Sequence, residues 1–311
     1  MTSRIRTVFF GTPDWAVPSL RALLASDIEV AAVVTNPDRP AGRGMELRPS
    51  PVKAVALEAD VEVLQPDRAR DPELAARLRT LGPEVATVVA YGKILPAELL
   101  SAPPRGFVNV HFSVLPGYRG AAPVQRALMD GVTETGVSIM VLTEGMDEGP
   151  VLAVETTAVS PEDTAGSVGG RLADIGAHLL VRTLPRYAEG ALAPTEQDHG
   201  SATYAPKVSD DDARIDWALD AAKVRDAVRA LNPVPGAWST FREGRVKLWS
   251  VAIRSGAPAV PPGELRAGDE LLAGTGGAPV AVLDVQVQGR RRMPGAALAR
   301  GLRLQPGERF V

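Results

Sequence analysis

Residues 4–13 run Arg4-Ile5-Arg6-Thr7-Val8-Phe9-Phe10-Gly11-Thr12-Pro13. A short apolar run rich in branched and aromatic side chains, closed by glycine, predicts a buried strand over 4–10. Gly11 permits a tight turn, Pro13 can open a helix, and Ala16 to Leu24 carries an apolar helical face. Ile28 to Thr35 is a second β-rich run. The pattern then repeats beyond a breaker-rich loop, Asn36-Pro37-Asp38-Arg39-Pro40-Ala41-Gly42-Arg43-Gly44. Ser50-Pro51 caps a helix to about Asp60, Val61–Leu64 is a short strand, and Asp71–Leu81 is a helix. Val85–Ala90 is a strand ending at Tyr91-Gly92-Lys93. Strands alternating with helices predict an α/β, Rossmann-like domain built on a parallel sheet with right-handed crossovers. Ligands of such sheets sit at the carboxyl ends of the strands, where Gly11, Tyr91, His111 and Asp147 all fall. The first turn, Gly11-Thr12-Pro13-Asp14, is not Gly-x-Gly-x-x-Gly, so a dinucleotide-binding reading has little support.

Asp163 to about Tyr187 reads as a long helix closing this domain, which is expected to span residues 1–189. Residues 190–208 read as a linker, and 209–311 as a second domain. That domain opens with a helix at Asp220–Leu231, apolar at Val224, Val228 and Leu231. Short β-like runs follow at Ala237–Phe241, Val246–Ile253, Glu270–Thr275 and Val280–Val287, separated by Gly and Pro. They predict a small barrel of the oligonucleotide-binding (OB-like) kind.

Composition removes several classes of function. The chain has no cysteine, which excludes a disulfide framework, a zinc–thiolate site and a cysteine nucleophile. Its three histidines, His111, His178 and His199, are too few for a multi-histidine metal site, and no metal is expected. No apolar run is long enough to span a bilayer, and the N-terminal apolar run is too short for a signal peptide, so a cytoplasmic protein is expected. Residues 1–205 hold 18 Lys/Arg against 25 Asp/Glu, whereas 206–311 hold 16 against 12. The last stretch, 290–311, has six arginines and one glutamate. A basic back half can hold a polyanion, or it can be a solvated surface.

Two stretches carry chemistry. Phe107-Val108-Asn109-Val110-His111-Phe112-Ser113-Val114-Leu115-Pro116 places an amide and an imidazole two residues apart, on one side of a strand. Gly145-Met146-Asp147-Glu148-Gly149-Pro150 follows another β-rich run, and Asp147 can fold back onto them. Singly, each residue reads more readily as structural than as catalytic. Together, a hydrogen-bond donor, a group that titrates near neutrality and an anion suit acyl transfer.

These stretches resemble the folate-dependent formyltransferases. Gly120-Ala121-Ala122-Pro123-Val124-Gln125-Arg126-Ala127 and Tyr91-Gly92-Lys93-Ile94-Leu95-Pro96 extend the resemblance. The Pro37–Gly44 loop, Pro49-Ser50-Pro51-Val52-Lys53, Ala213-Arg214-Ile215-Asp216-Trp217 and Asn232-Pro233-Val234-Pro235-Gly236-Ala237 are similar to the branch acting on methionyl-tRNA. The likeness covers essentially the whole chain. Two departures are small: Phe112 stands where the family often has Gly, and Ser113-Val114-Leu115-Pro116 where it often has Ser-Leu-Leu-Pro.

The resemblance implies transfer of a formyl group from 10-formyltetrahydrofolate to the amino group of methionyl-initiator tRNA. Asn109, His111 and Asp147 are then the catalytic residues. Val88, Val89, Ala90, Ile94, Ser113, Val114, Leu115 and Pro116 are candidate walls for the folate. Arg39 and Arg43 on the loop, with Arg43 reaching the acceptor end, are candidate tRNA contacts. Lys207, Arg245, Lys247, Arg290, Arg291 and Arg292 are candidates for the tRNA backbone. No membrane and no stable protein partner are expected. Rival readings are a formyltransferase acting on a nucleotide-sugar amine, a 10-formyltetrahydrofolate hydrolase, and an RNA-binding module without activity.

Overall fold

The computed structural model describes residues 4–41 and 46–311. They form two compact units. The first comprises Met1–Pro123, Glu134–Thr157 and Gly169–Ala205; the second comprises Val124–Thr133, Ala158–Val168 and Pro206–Val311.

In the first unit the opening strand is β1 (Arg6–Gly11), followed by α1 (Val17–Leu24) and β2 (Glu29–Val34). The short strands β3 (Arg39–Ala41) and β4 (Glu46–Arg48) pair as a separate ribbon. Then come α2 (Pro51–Glu58), β5 (Val63–Leu64), α3 (Pro72–Leu81), β6 (Val85–Val89), α4 (Ala97–Leu100) and β7 (Phe107–His111). The helices start where the sequence supplies caps. Ser50 accepts from the Lys53 amide at 3.1 Å, and Asp71 from the Glu73 amide at 2.9 Å. Gly82, at φ 59°, ends α3 in the left-handed region. Beyond α5 (Pro123–Asp130), whose residues from Val124 on belong to the second unit, come β8 (Glu134–Val141), β9 (Val151–Ala158) and α6 (Ala165–Ala188).

The seven-stranded sheet has the order β5-β2-β1-β6-β7-β8-β9. It is parallel from β5 through β7, as expected. The parallel expectation fails at β8, which pairs antiparallel with β7: Val108 faces Val141 and His111 faces Ser138. An apolar strand pattern does not encode strand direction, so the reversal was not readable. Its consequence is that Asp147 does not lie at a strand end beside His111. It is carried back by the loop from Leu142 to Pro150. Helix α6 reaches the sheet through Gly176, where an added Cβ would lie 2.7 Å from Val110 Cγ1. The reading also missed α5 and β9.

The second unit holds α7 (Ala221–Ala230), capped by Asp220, and the strands β10 (Ala237–Phe241), β11 (Gly244–Ile253), β12 (Leu265–Ala267), β13 (Leu271–Ala273), β14 (Val280–Val287) and β15 (Met293–Pro294). Helix α8 (Gly295–Leu302) lies inside the stretch read only as a basic tail. The strands form one antiparallel sheet of order β10-β11-β14-β13-β12, with β15 on β14. This curled sheet makes half a barrel. Its two edges are tied by the chain end: Val311 exchanges hydrogen bonds with Thr240, Phe310 N donates to Gly263 O, and Leu265 N donates to Glu308 O. Phe310 stacks on Trp217 at 5.4 Å and meets Phe241 edge-on at 6.0 Å, filling the core. No described helix is long and apolar enough to cross a membrane.

Candidate active site

In the first unit a cavity of about 600 Å³ opens against the ends of β6 and β7. That is within the range of small-molecule sites. Its apolar walls include Val88, Ala90, Ile94, Leu95, Leu100 and Leu142, and the loop from Thr143 to Asp147 forms another side. Ile94 and Met146 stand at its mouth, 80% and 60% exposed.

Asn109, His111 and Asp147 all line this cavity. Asn109 and His111 are 9% and 5% exposed on one face of β7, as the period of two requires. No hydrogen bond to the Asn109 carboxamide occurs among the described residues. His111 Nε2 lies 2.9 Å from the carbonyl oxygen of Tyr118. A carbonyl can only accept, so Nε2 carries the hydrogen and Nδ1 is the basic nitrogen. That nitrogen is 3.6 Å from Asp147 Oδ2. The same carboxylate oxygen accepts from the Gly120 amide at 2.9 Å. Gly120 is needed there: its φ is +116°, and a Cβ would lie 2.9 Å from the Ala205 carbonyl oxygen.

Three non-glycine residues with left-handed backbone sit at or beside the site: Ala90 (φ 48°), Tyr118 (φ 58°) and Asp147 (φ 51°). Such conformations persist where surrounding bonds over-determine them, as they do around a positioned group. Lys93 also lines the cavity; burial pulls its ammonium below its ordinary value, and it donates to the carbonyls of Pro66 and Asp67.

Of the expected folate walls, Val88, Ala90 and Ile94 border the cavity. Val89 does not; it is fully buried, as strand alternation would turn it from its neighbours. Ser113 to Pro116 also lie outside the lining and instead lock the turn after β7. Ser113 Oγ donates to Gly117 O at 2.6 Å, and Ser138 Oγ donates to Ser113 O and accepts from Leu115 N. Phe112 both borders the cavity and packs edge-on against Trp15 at 5.9 Å. Leu95, Leu100, Leu142 and Met146 were missed because apolar residues in loops and short helices have no period to flag them.

The expected tRNA contacts divide. Arg43 lies outside the described residues. Arg39, Lys207, Arg290 and Arg291 are exposed. Arg245 is paired with Asp210 and lies 3.7 Å over the Trp238 ring. Arg292 pairs with Asp284 at 2.7 Å, and Lys247 Nζ donates to the Pro235 carbonyl at 2.7 Å. Among the described residues no group of three or more His, Asp or Glu is arranged to hold a metal.

An imidazole at the end of β7, a carboxylate on the loop before β9 and an amide with no hydrogen bond among the described residues meet in one apolar cavity, an arrangement suited to group transfer. The family model "Formyl transferase" matches residues 4–184, and "Formyl transferase, C-terminal domain" matches 207–303. The chain is 48% identical over 307 residues to the methionyl-tRNA formyltransferase of Thermobifida fusca, covering 98% of this chain and 99% of that one. It is 50% identical over 308 residues to that of Saccharopolyspora erythraea, covering 98% and 100%. An N-formyltransferase from Helicobacter canadensis, solved with folinic acid and dTDP-3-aminofucose, shares the fold: TM-score 0.69 at 16% identity, over 89% of this chain and 98% of that one. The chain belongs to the methionyl-tRNA formyltransferase family.

Proposed function

We propose that this chain transfers the formyl group of 10-formyltetrahydrofolate to the amino group of methionyl-initiator tRNA in the cytoplasm, giving the formylated aminoacyl-tRNA that initiates translation. One observation carries the reading: Asn109, His111 and Asp147 converge on a single apolar cavity in a chain that belongs to this family.

The donor supplies a formyl carbon bonded to nitrogen, and the methionyl amine attacks it. Negative charge then grows on the formyl oxygen. The Asn109 carboxamide, with no partner of its own, donates to that oxygen. Stabilisation there is stronger in the tetrahedral intermediate than in the ground state, which is what lowers the barrier. The amine must lose a proton and the folate nitrogen must gain one. His111 Nδ1 and Asp147 Oδ2, 3.6 Å apart, are the pair through which that proton passes, directly or by water. The pair ends each turnover in the state in which it began.

The folate ring takes the slot between Val88, Ala90, Ile94 and Leu142. The exposed cations Arg39, Lys207, Arg290 and Arg291, with Arg43, hold tRNA phosphates, and residues 209–311 serve as the tRNA-binding domain. Arg245, Lys247 and Arg292, already bonded, add field more than contacts.

Purified protein with 10-formyltetrahydrofolate and charged initiator tRNA tests the reading. Formylation of the tRNA is expected. Transfer only to an amino-sugar nucleotide, deformylation without an acceptor, or no turnover would each favour a rival.

A further inference from the structure

The segment from Thr195 to Ala205 does more than connect. Thr195 pairs with Val151, and Tyr204 with Arg119, as isolated bridges. Thr203 Oγ1 accepts from the Tyr118 amide at 2.8 Å, and Thr203 O from the Arg119 amide at 2.9 Å. At its centre is Gln197, 7% exposed. Its Oε1 accepts from Arg119 Nε at 3.0 Å and Nη2 at 2.7 Å. Its Nε2 donates to the carbonyl of Asp147 at 3.0 Å and to that of Gly149 at 2.6 Å. Both lone pairs and both hydrogens of the amide are thereby used. Arg119, buried in turn, follows Tyr118, whose carbonyl holds His111, and precedes Gly120, whose amide holds Asp147.

We propose that Gln197 is a positioning residue for formyl transfer: through Arg119 on one side and two loop carbonyls on the other, it fixes Asp147 in its left-handed conformation opposite His111. A loop that must cross back from the end of an antiparallel strand has no sheet hydrogen bonds at Asp147 to do this. The amide of Gln197 supplies them. The inference rests on the role assigned above to Asp147.

Gln197→Glu is the diagnostic change. It keeps the shape and the acceptor for Arg119, but sets an oxygen against two carbonyl oxygens. A role limited to holding Arg119 would tolerate it. The expected result is a fall in kcat of about 100-fold, the scale of an ångström of misplacement. KM for both substrates is expected to stay within about threefold, because no substrate contact is removed. Should this variant fold poorly, the double variant Arg119→Met/Gln197→Met removes the buried polar pair together, so that the carbonyls of Asp147 and Gly149 lose their donor without a charge or an opposing oxygen being introduced, and is expected to lose kcat to the same extent. Asp198→Ala breaks only the local turn to Gly200 in the same segment and is expected to leave kcat intact. In an Asp147→Asn background, Gln197→Glu is expected to cost nothing further, since it acts through Asp147. Either Gln197 variant turning over near the unaltered rate, or Asp198→Ala losing as much kcat, overturns the proposal. If Asp147→Asn alone is fully active, the role of Asp147 falls and this inference with it. If Asp147→Asn is crippled while the Gln197 variants are not, only this inference falls.

Discussion

On the proposed reading, the residues of the cavity and the cations of the second unit are two ways of building a functional surface. Asn109 and His111 are buried and Asp147 is half-buried, and each has its place dictated by a strand, a carbonyl or a backbone amide. Arg290, Arg291 and Lys207 are exposed, and their neighbours Arg245 and Arg292 are ion-paired on the sheet surface. Chemistry on one carbonyl needs fixed geometry to a fraction of an ångström. Attraction of a polyanion needs only the number and rough position of charges. Damage to the first should therefore be large and appear in kcat, and damage to the second should be shared and appear in salt dependence.

The sharpest way to break this contrast is at the proposed proton-transfer pair. His111→Ala and Asp147→Asn are each expected to lower turnover by roughly 10²–10⁴, the range for positioned acid–base groups. Asn109→Ala follows, at about 10²–10³ in kcat, the cost of losing one oxyanion donor. All three are read by single-turnover formylation at saturating substrates. Turnover near the unaltered rate in any of these variants would mean that the residue is only part of the core.

The second region gives the smaller effects. Arg290→Ala and Arg291→Ala are each expected to leave kcat alone, to weaken tRNA binding a few-fold, and to reduce the slope of log affinity against log salt by about one. An unchanged slope would mark these arginines as solvated surface, the alternative that charge counting left open.

The same contrast explains what could be read from sequence. The parallel part of the sheet was legible because strand and helix periods differ and because Ser50, Asp71 and Gly82 mark helix ends. The trio was legible because Asn109 and His111 share a strand face. Asp147 was legible only as a residue type in a recognisable run, since the reversal of β8 that determines how it arrives leaves no trace in the apolar pattern. Gln197 was illegible: it is one polar residue in a polar stretch, and its bonds join positions 48 and 78 residues away. Ser113 to Pro116 were assigned to the wall because they follow His111, whereas the turn spends their polar atoms on itself.

The second unit also offers a pH test that leaves the cavity aside. Arg126 holds Asp212 through two hydrogen bonds, at 3.0 and 2.8 Å, and with Ser209 keeps its carboxyl well below the usual carboxylate range. A depressed native value means that the stabilisation is complete above the unfolded value, about 3.9, and fades as pH falls below it toward the native one. Asp212→Asn is therefore expected to lower stability by about 1 kcal/mol at neutral pH, the upper end for partly exposed pairs. The gap should narrow below about pH 4. Denaturant melts from pH 7 to 3 would expose a constant gap, which would assign the loss to packing.

The smallest expected effect separates two polar groups that look alike. Tyr91, like Asn109, borders the cavity, and its buried hydroxyl has no partner among the described residues. Burial pushes its pKa up to about 12, so it stays a neutral phenol. Its ring packs edge-on against Phe10 at 5.4 Å, within the apolar cluster behind β1 and β6. An orphaned hydroxyl in such surroundings costs about 1–3 kcal/mol of desolvation. Tyr91→Phe removes that cost and leaves the ring in place, so it is expected to keep or raise the melting temperature, with turnover within about twofold. Asn109 differs because its carboxamide stands two residues from His111 on the strand face that, on the proposed reading, meets the reacting carbon. If Tyr91→Phe instead raised KM for 10-formyltetrahydrofolate at unchanged stability, its hydroxyl would belong with Asn109, as a donor held in reserve for the ligand.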